Sequence, residues 1–234
     1  MRALFLENFN FKNHSEVNVE GEDFHHLKNV LRIKNGEDVL LLNGLGVSCH
    51  SKVISISKNS LVLEIHTISE NKNVPTIDLA LGHIKKEALV EAIKKSVECR
   101  YGSLYLFHCD YAQKSNLKPE KLKKILKNSY EQSNAKHMLN VQEFKNFGEI
   151  ELNEYKAIFL FNSVKSEARV DTSSINGKCL VVIGPEGGFS EVELEKFRQI
   201  EHLVEIYADT NIMRSPTACS YAKGHVQSLL NMRI

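Results

Sequence analysis

The chain has 234 residues, 42% of them hydrophobic and 25% charged, with 12 Gly, 4 Pro and a net charge of +1. That composition is ordinary for a globular protein and excludes disordered, collagen-like and disulfide-scaffold classes; the length allows one or two domains, each with its own core. No apolar run approaches the roughly 20 residues that span a bilayer, and the apolar patch at 3–6 is too short for a signal-peptide core, so a cytoplasmic protein without a membrane segment is expected.

The five cysteines (Cys49, Cys99, Cys109, Cys179, Cys219) never form C-x-x-C, so they point to reduced thiols and give zinc or thioredoxin readings no support. Charge is spread unevenly, at net −2 over residues 1–70, +5 over 71–150 and −2 over 151–234. The basic middle can attract phosphate, but Lys-rich helices mostly present plain solvated faces, and on charge alone that is the better reading.

The first 70 residues read as β-rich. A strand at 39–42 meets Asn43-Gly44, a strong hairpin signal, and strand residues resume at Val47 and 53–56. Leu61, Leu63 and Ile65 alternate with Val62, Glu64 and His66 in a further strand, and a short helical stretch covers 24–31. Short strands at this density suggest a small barrel or sandwich. The polar run 69–73, closed by Pro75, is the linker candidate, which divides the chain into domains at 1–70 and 74–234.

After Pro75 strands and helices alternate. Strands are expected at 77–84, 103–109, 157–161, 180–183 and 203–208. Helices are expected at 85–99, with Ala88, Leu89, Ala92, Ile93 and Val97 inward, and at 118–131, with Leu122, Ile125, Leu126 and Tyr130 inward. Ser190-x-x-Glu193 is a capping box opening a helix to about Ile200. Ser215-Pro216 reads as an N-cap followed by Pro at the first helical position, opening a last helix to about Leu230. This alternation predicts a parallel sheet covered on both faces.

The chemistry-bearing candidates are loops that leave strand ends and enter helices. Gly184-Pro185-Glu186-Gly187-Gly188 follows a buried strand, where open α/β sheets bind ligands. It lacks the Lys of a phosphate loop and the G-x-G-x-x-G of a dinucleotide site, which disfavours ATPases, GTPases and Rossmann dehydrogenases. Glu186 suits a hydroxyl-rich or cationic ligand, and a tight turn without a ligand is the competing reading. A second loop, 209–217, offers backbone amides, the apolar pair Ile212 and Met213, and one cation, Arg214; a third spans 162–167. Three such loops make a cleft for an adenosine-sized ligand.

The string Ile183-Gly184-Pro185-Glu186-Gly187-Gly188-Phe189-Ser190 before a capped helix resembles the SPOUT class of methyltransferases. It is most similar to the ribosomal RNA small subunit methyltransferase E family, which methylates N3 of a uridine in 16S ribosomal RNA. Two further segments carry the resemblance, His25-His26-Leu27-x-x-Val30-Leu31-Arg32-Ile33-Lys34-x-Gly36-Glu37 and Glu131-Gln132-Ser133, and the three in order span nearly the whole chain. The resemblance implies an N-terminal PUA-like RNA-binding β-barrel at 1–70. It implies a SPOUT α/β domain with a C-terminal trefoil knot at 74–234, and a homodimer. The implied cofactor is S-adenosylmethionine, held by Phe161, Asn162, Gly184, Pro185, Glu186, Gly187, Gly188, Ala208, Asn211, Ile212, Met213 and Thr217, with no metal. The implied partner is 16S ribosomal RNA or the assembled small subunit.

The last family motif, usually Leu-Gly-x-Arg-[IV]-Leu-Arg-x-Glu-Thr-Ala, departs here at Asp209, Asn211 and Pro216 and keeps Arg214, Thr217 and Ala218. Ala135 stands where an arginine is usual, and Glu98-Cys99-Arg100 where Glu-Leu-Gly is usual. These changes bear on cofactor contacts and activity, not on the fold.

Methyl transfer is an in-line displacement that rewards positioning, and uracil N3 must shed a proton before it attacks. Arg214 is assigned to substrate positioning and charge stabilisation, because a guanidinium is too weakly acidic to serve as a base. Glu186 is assigned to orienting the cofactor, with proton removal as its alternative role. Arg32, Lys34, Lys85, Lys86 and Arg100 are the candidate RNA-phosphate contacts. Three rival functions remain, a ribose 2′-O-methyltransferase of the same class, an RNA-binding or assembly protein that has lost catalysis, and a metabolic α/β enzyme with a different small ligand, which rests on fold-level analogy alone.

Overall fold

The computed structural model describes residues 2–113, 115–162 and 175–230. The chain divides into two compact units, Met1–Val74 with Lys127–Met138, and Pro75–Leu126 with Leu139–Ile234. The first unit thus takes in a stretch at 127–138 that the sequence reading put wholly in the second domain.

Five strands build the first unit: β1 (Arg2–Phe5), β2 (Glu16–Glu20), β3 (Asp38–Leu42), β4 (Val47–Ile56) and β5 (Ser60–Glu70). They form one half-barrel sheet in the order β1-β3-β4-β5-β2, antiparallel except for the parallel pair β1–β3. Alternation explains the core. Val17 and Val19 of β2 point inward between exposed polar residues, and Leu61 and Leu63 of β5 point inward on either side of the half-buried Val62. A helix α1 (Gly21–His25) runs on as a wider turn over His26–Val30 and seats Phe24 and Leu27 in that core. The hairpin after β3 forms, with residues 43–46 as its loop. The buried Asn43 side chain accepts from the Leu45 and Val47 amides at 2.9 and 3.1 Å and sets the turn.

Segment 127–138 belongs to this unit through specific bonds. Lys127 pairs with Asp23, Tyr130 lies against Phe5 at 4.7 Å between ring centroids, and Glu131 Oε1 accepts from the Phe5 amide at 3.1 Å. The Glu of the Glu-Gln-Ser motif therefore ties down strand β1. Burial holds its carboxyl above the usual range, against the Phe5 amide, which pulls the other way.

The second unit is a six-stranded, all-parallel sheet in the order β11-β9-β10-β6-β7-β8. Its strands are β6 (Ile77–Gly82), β7 (Ser103–Phe107), β8 (Asn140–Phe144), β9 (Ala157–Asn162), β10 (Cys179–Ile183) and β11 (Leu203–Tyr207). The inner strands β6, β7 and β10 are buried along their whole length, as a sheet covered on both faces requires. Its helices are α2 (Lys86–Glu98), α3 (Pro119–Ser133), which passes into the first unit at Lys127, α4 (Glu191–Arg198) and α5 (Ser215–Leu229). Helix α2 buries Leu89, Ala92, Ile93 and Val97. No helix among the described residues is long and apolar enough to cross a membrane.

Strands β1, β2 and β8 were not anticipated, and the start of α5 shifts by one residue. Arg214 is its N-cap, with extended backbone (φ −66°, ψ 149°) and its carbonyl accepting from the Ala218 amide. Ser215 is already helical and Pro216 is the second residue of the first turn, where a missing N–H also costs nothing.

Candidate functional site

The order β11-β9-β10 makes neighbours of the three strands whose following loops were singled out. Phe161 of β9 pairs with Ile183 of β10 and with Ile206 of β11, and Asn162 pairs with Tyr207. The three carboxyl ends are therefore level. Asn162, the 184–188 loop and the 208–214 loop all leave one edge of the sheet, the position where parallel α/β sheets bind ligands. Phe161, Asn162, Gly184, Pro185, Glu186, Gly187, Gly188, Ala208, Asn211, Ile212 and Met213 all lie in these strand ends and loops, and Thr217 lies in the first turn of α5. Of the third loop, 163–167 lies outside the described residues.

The glycine loop is built by tight local turns. The Gly188 amide donates to the Pro185 carbonyl at 2.9 Å, and Gly188 takes φ +73°, which favours glycine. A Cβ at Gly188 would meet nothing within 4 Å, so this turn faces open space on that side. A Cβ at Gly187 would fall 2.9 Å from Cβ of Tyr111, so the loop is held close against the segment after β7. The capping box then starts α4 as expected, with Ser190 Oγ accepting from the Glu193 amide and Glu193 Oε2 accepting from the Ser190 amide at 2.9 Å. Asp110 joins it, its amide donating to Glu193 Oε1 at 3.0 Å and its carboxylate accepting from the Ser190 hydroxyl.

In the second loop the Thr210 amide donates to the Ala208 carbonyl at 2.8 Å, a tight turn that projects the next residues outward. Ile212 is 98% exposed, Asn211 is exposed and Met213 half-buried. Glu186 and Arg214 are exposed, and among the described residues neither side chain has an ion-pair partner. Phe161 is met edge-on by Tyr221 and His225 of α5, whose rings stack on each other at 5.6 Å between centroids. Burial pushes the His225 imidazole below its ordinary range.

The candidate RNA contacts are dispersed. Arg32 and Lys34 are exposed in the first unit. Arg32 takes φ +51°, and the Lys34 amide donates to the Glu37 carboxylate. That backbone bond, with help from the Arg2 guanidinium, holds Glu37 below the usual carboxylate range. In the second unit Lys85 and Lys86 are exposed at the N-terminus of α2, while Arg100 follows its C-terminus, about 20 Å of helix away. Lys85 and Lys86 follow the carboxyl end of β6, whereas Arg100 precedes the amino end of β7, so the second unit does not bring Arg100 to the other two.

Three side-chain groups escaped the sequence. Asp78, 1% exposed at the amino end of β6, accepts from the Ser103 amide at 2.7 Å and the Tyr155 hydroxyl at 2.6 Å and pairs with Lys178 at 2.9 Å. Lys223 of α5 is 4% exposed, donates to the Arg100 carbonyl at 2.9 Å and lies 4.8 Å from the centre of the Tyr101 ring; burial pulls its ammonium down to about 8. His83, His108 and Glu143 gather where β6 and β7 end. Burial first, then the nearby His108, holds the His83 imidazole below its ordinary range. None has a local signal, because each depends on which strands are neighbours.

A family model described as an RNA methyltransferase domain matches residues 70–227, and one described as an RNA methyltransferase PUA domain matches residues 19–65. The chain is 25% identical over 215 residues to the ribosomal RNA small subunit methyltransferase E of Rickettsia conorii, covering 88% of this chain and 86% of that one. It is 25% identical over 222 residues to the protein of the same name from Bacillus subtilis, covering 87% and 86%. In fold it is similar to the crystal structure of a ribosomal RNA small subunit methyltransferase E from Neisseria gonorrhoeae bound to S-adenosylmethionine, with a TM-score of 0.84, 20% identity and all of both chains covered.

Proposed function

Since the chain belongs to the RNA methyltransferase family of the SPOUT class, the ribosomal RNA small subunit methyltransferase E family, we propose that it methylates N3 of a uridine in 16S ribosomal RNA with S-adenosylmethionine as donor. The observation that carries this reading is the level register of β9, β10 and β11, which puts the glycine loop, the Arg214 loop and Asn162 at one sheet edge.

The residues there fit the donor. The exposed residues Glu186, Gly187, Asn211 and Ile212, the apolar surface of Ile212 and Met213, and the open side of Gly188 offer polar groups and contact area to an adenosine. The Glu186 carboxylate orients a ligand that carries ribose hydroxyls and a positive sulfonium. When bound, the sulfonium supplies an activated methyl group. The chain's own task is to align uracil N3 with it and to favour loss of the N3 proton. Arg214 stabilises the negative charge that spreads onto the uracil carbonyl oxygens as that proton leaves. Its position at the N-cap of α5 adds the positive end of the helix dipole to the same place. Arg32, Lys34, Lys85 and Lys86 contact RNA phosphates. The same reading makes the active form a cytoplasmic homodimer whose C-terminal loops thread as a trefoil knot.

The test is methylation in vitro of small ribosomal subunits from a strain lacking this gene, followed by mass spectrometry of the nucleosides. The expected product is 3-methyluridine at a single position. A ribose-methylated product overturns the N3 assignment, and no methylation together with no donor binding in calorimetry overturns the enzyme reading.

A further inference from the structure

The other half of the same sheet edge holds three side chains that this chemistry does not use. His83 follows β6, His108 follows β7 and Glu143 lies in β8. Gly82 pairs with Phe107, so the next residues, His83 and His108, are level neighbours, and their rings stack at 4.2 Å and 25°. Leu106 pairs with both Leu81 and Glu143. Residues two apart on a strand share a face, so His83, His108 and Glu143 all project from one face of the sheet. His83 Nε2 is 3.1 Å and His108 Nε2 3.8 Å from Glu143 Oε1, and the three ligand atoms lie within 4.8 Å of one another.

His83 is prepared for a ligand. The side chain is 1% exposed, and Nε2 makes no well-directed hydrogen bond in spite of its distance to Glu143. Its other nitrogen, Nδ1, lies 3.3 Å from the hydroxyl of the buried Ser115, which orients the ring and leaves Nε2 for something else. The backbone is anchored as well, the His83 amide donating to Phe107 and its carbonyl accepting from Gln113. Glu143 and His108 are 62% and 43% exposed, so the open side of the group faces solvent and an entering ion.

We propose that His83, His108 and Glu143 form a three-ligand site for a divalent transition-metal ion of the zinc type. Ligand atoms about 2.1 Å from a tetrahedral ion are about 3.4 Å apart, which the observed spacings approach and small rotations of the two exposed side chains complete. Two imidazoles and one carboxylate are a donor set for zinc or cobalt; magnesium and calcium call for oxygen ligands. Three protein ligands leave the remaining coordination to water. The ion also ties together strand ends beside the glycine loop, since a Cβ at Gly82 would fall 2.8 Å from Cδ of Pro185.

The test uses the full-length protein after treatment with a chelator, titrated with Co²⁺ and then with Zn²⁺. The expected result is visible cobalt absorption that saturates at one equivalent and is removed by one equivalent of zinc. His108→Ala and Glu143→Gln, both at exposed side chains, each weaken cobalt binding by at least about tenfold, while His14→Ala leaves it unchanged. Absence of a stoichiometric band in the unaltered protein overturns the proposal, and so does a band of equal affinity in both variants. The readout is independent of methyl transfer, so its failure leaves the methyltransferase reading standing.

Discussion

The two ends of the parallel sheet are built on opposite principles. At the amino end, two of the charges, Asp78 and Lys223, are buried and the polar groups are paired: Asp78 with Ser103, Tyr155 and Lys178, Lys178 also with Glu154 at 2.7 Å, and Lys223 with the carbonyl of Arg100. Burial and the Asp78 carboxylate push the Tyr155 hydroxyl far above its ordinary range, so it stays a donor. At the carboxyl end, Glu186, Ile212 and Arg214 stand exposed on short turns, with no partner for either charge among the described residues. The same strands thus serve stability at one end and leave groups available at the other. A charge that is already satisfied has nothing left to offer a substrate.

If that division is right, substitutions at the two ends separate cleanly. The largest effect is expected from Asp78→Ala, which leaves the half-buried Lys178 without its buried partner and strips Tyr155 and the Ser103 amide of their acceptor. Stability should fall by about 3–5 kcal/mol in denaturant unfolding. Donor affinity of the fraction that remains folded should be unchanged, and a selective loss of donor binding would break the comparison. Arg214→Ala should do the reverse. Stability should stay within about 0.5 kcal/mol, because the side chain is exposed and has no ion-pair partner among the described residues. Turnover should fall on the order of 100-fold in single-turnover methylation, as when one preorganised donor is removed from a developing charge.

How far each end could be read from the sequence follows from the same difference. The carboxyl-end loops announce themselves locally: Gly-Pro-Glu-Gly-Gly between an apolar run and a capping box needs no knowledge of the rest of the fold. The inner strands β6, β7 and β10 were readable as apolar runs because both of their faces are covered. Edge strand β8, with sequence NVQEF, has only Val141 and Phe144 to bury and carries no such run, and without β8 nothing brings Glu143 to the histidines. The short β1 was missed because its four residues show no alternation and its partner is the distant β3, and the transfer of 127–138 to the first unit was missed because Tyr130 and Glu131 meet Phe5 across more than 120 residues. Asp78 drew no notice because one carboxylate in an apolar strand has no meaning until its neighbours are known. Strand β2 is the exception. Its Glu-Val-Asn-Val-Glu alternation was there to be read.

A smaller effect tests whether the glycine loop is shaped by its backbone alone. Gly188→Ala places a side chain at φ +73° but in open space, so the cost is strain in the turn, about 1 kcal/mol. Donor affinity measured by calorimetry should weaken by more than stability does, because the turn presents the loop's amides. Equal losses would mean that the loop serves only the fold.

The smallest effect concerns Lys223 and is a matter of sign. Burial lowers its ammonium from 10.5 to about 8, so between those values the unfolded chain binds a proton that the folded chain has released. Stability then rises with pH across that window, and below pH 8, where both states are protonated, folding carries the full cost of the buried charge. Lys223→Met keeps the volume and removes the charge. It should flatten the rise between pH 8 and 10.5 in denaturant melts and leave stability at pH 7 unchanged or higher by about 1 kcal/mol. A loss of stability at pH 7 would mean that the bond to the Arg100 carbonyl and the contact with Tyr101 outweigh the cost of burying the ammonium. The amino end would then depend on its buried cation as much as on its buried carboxylate.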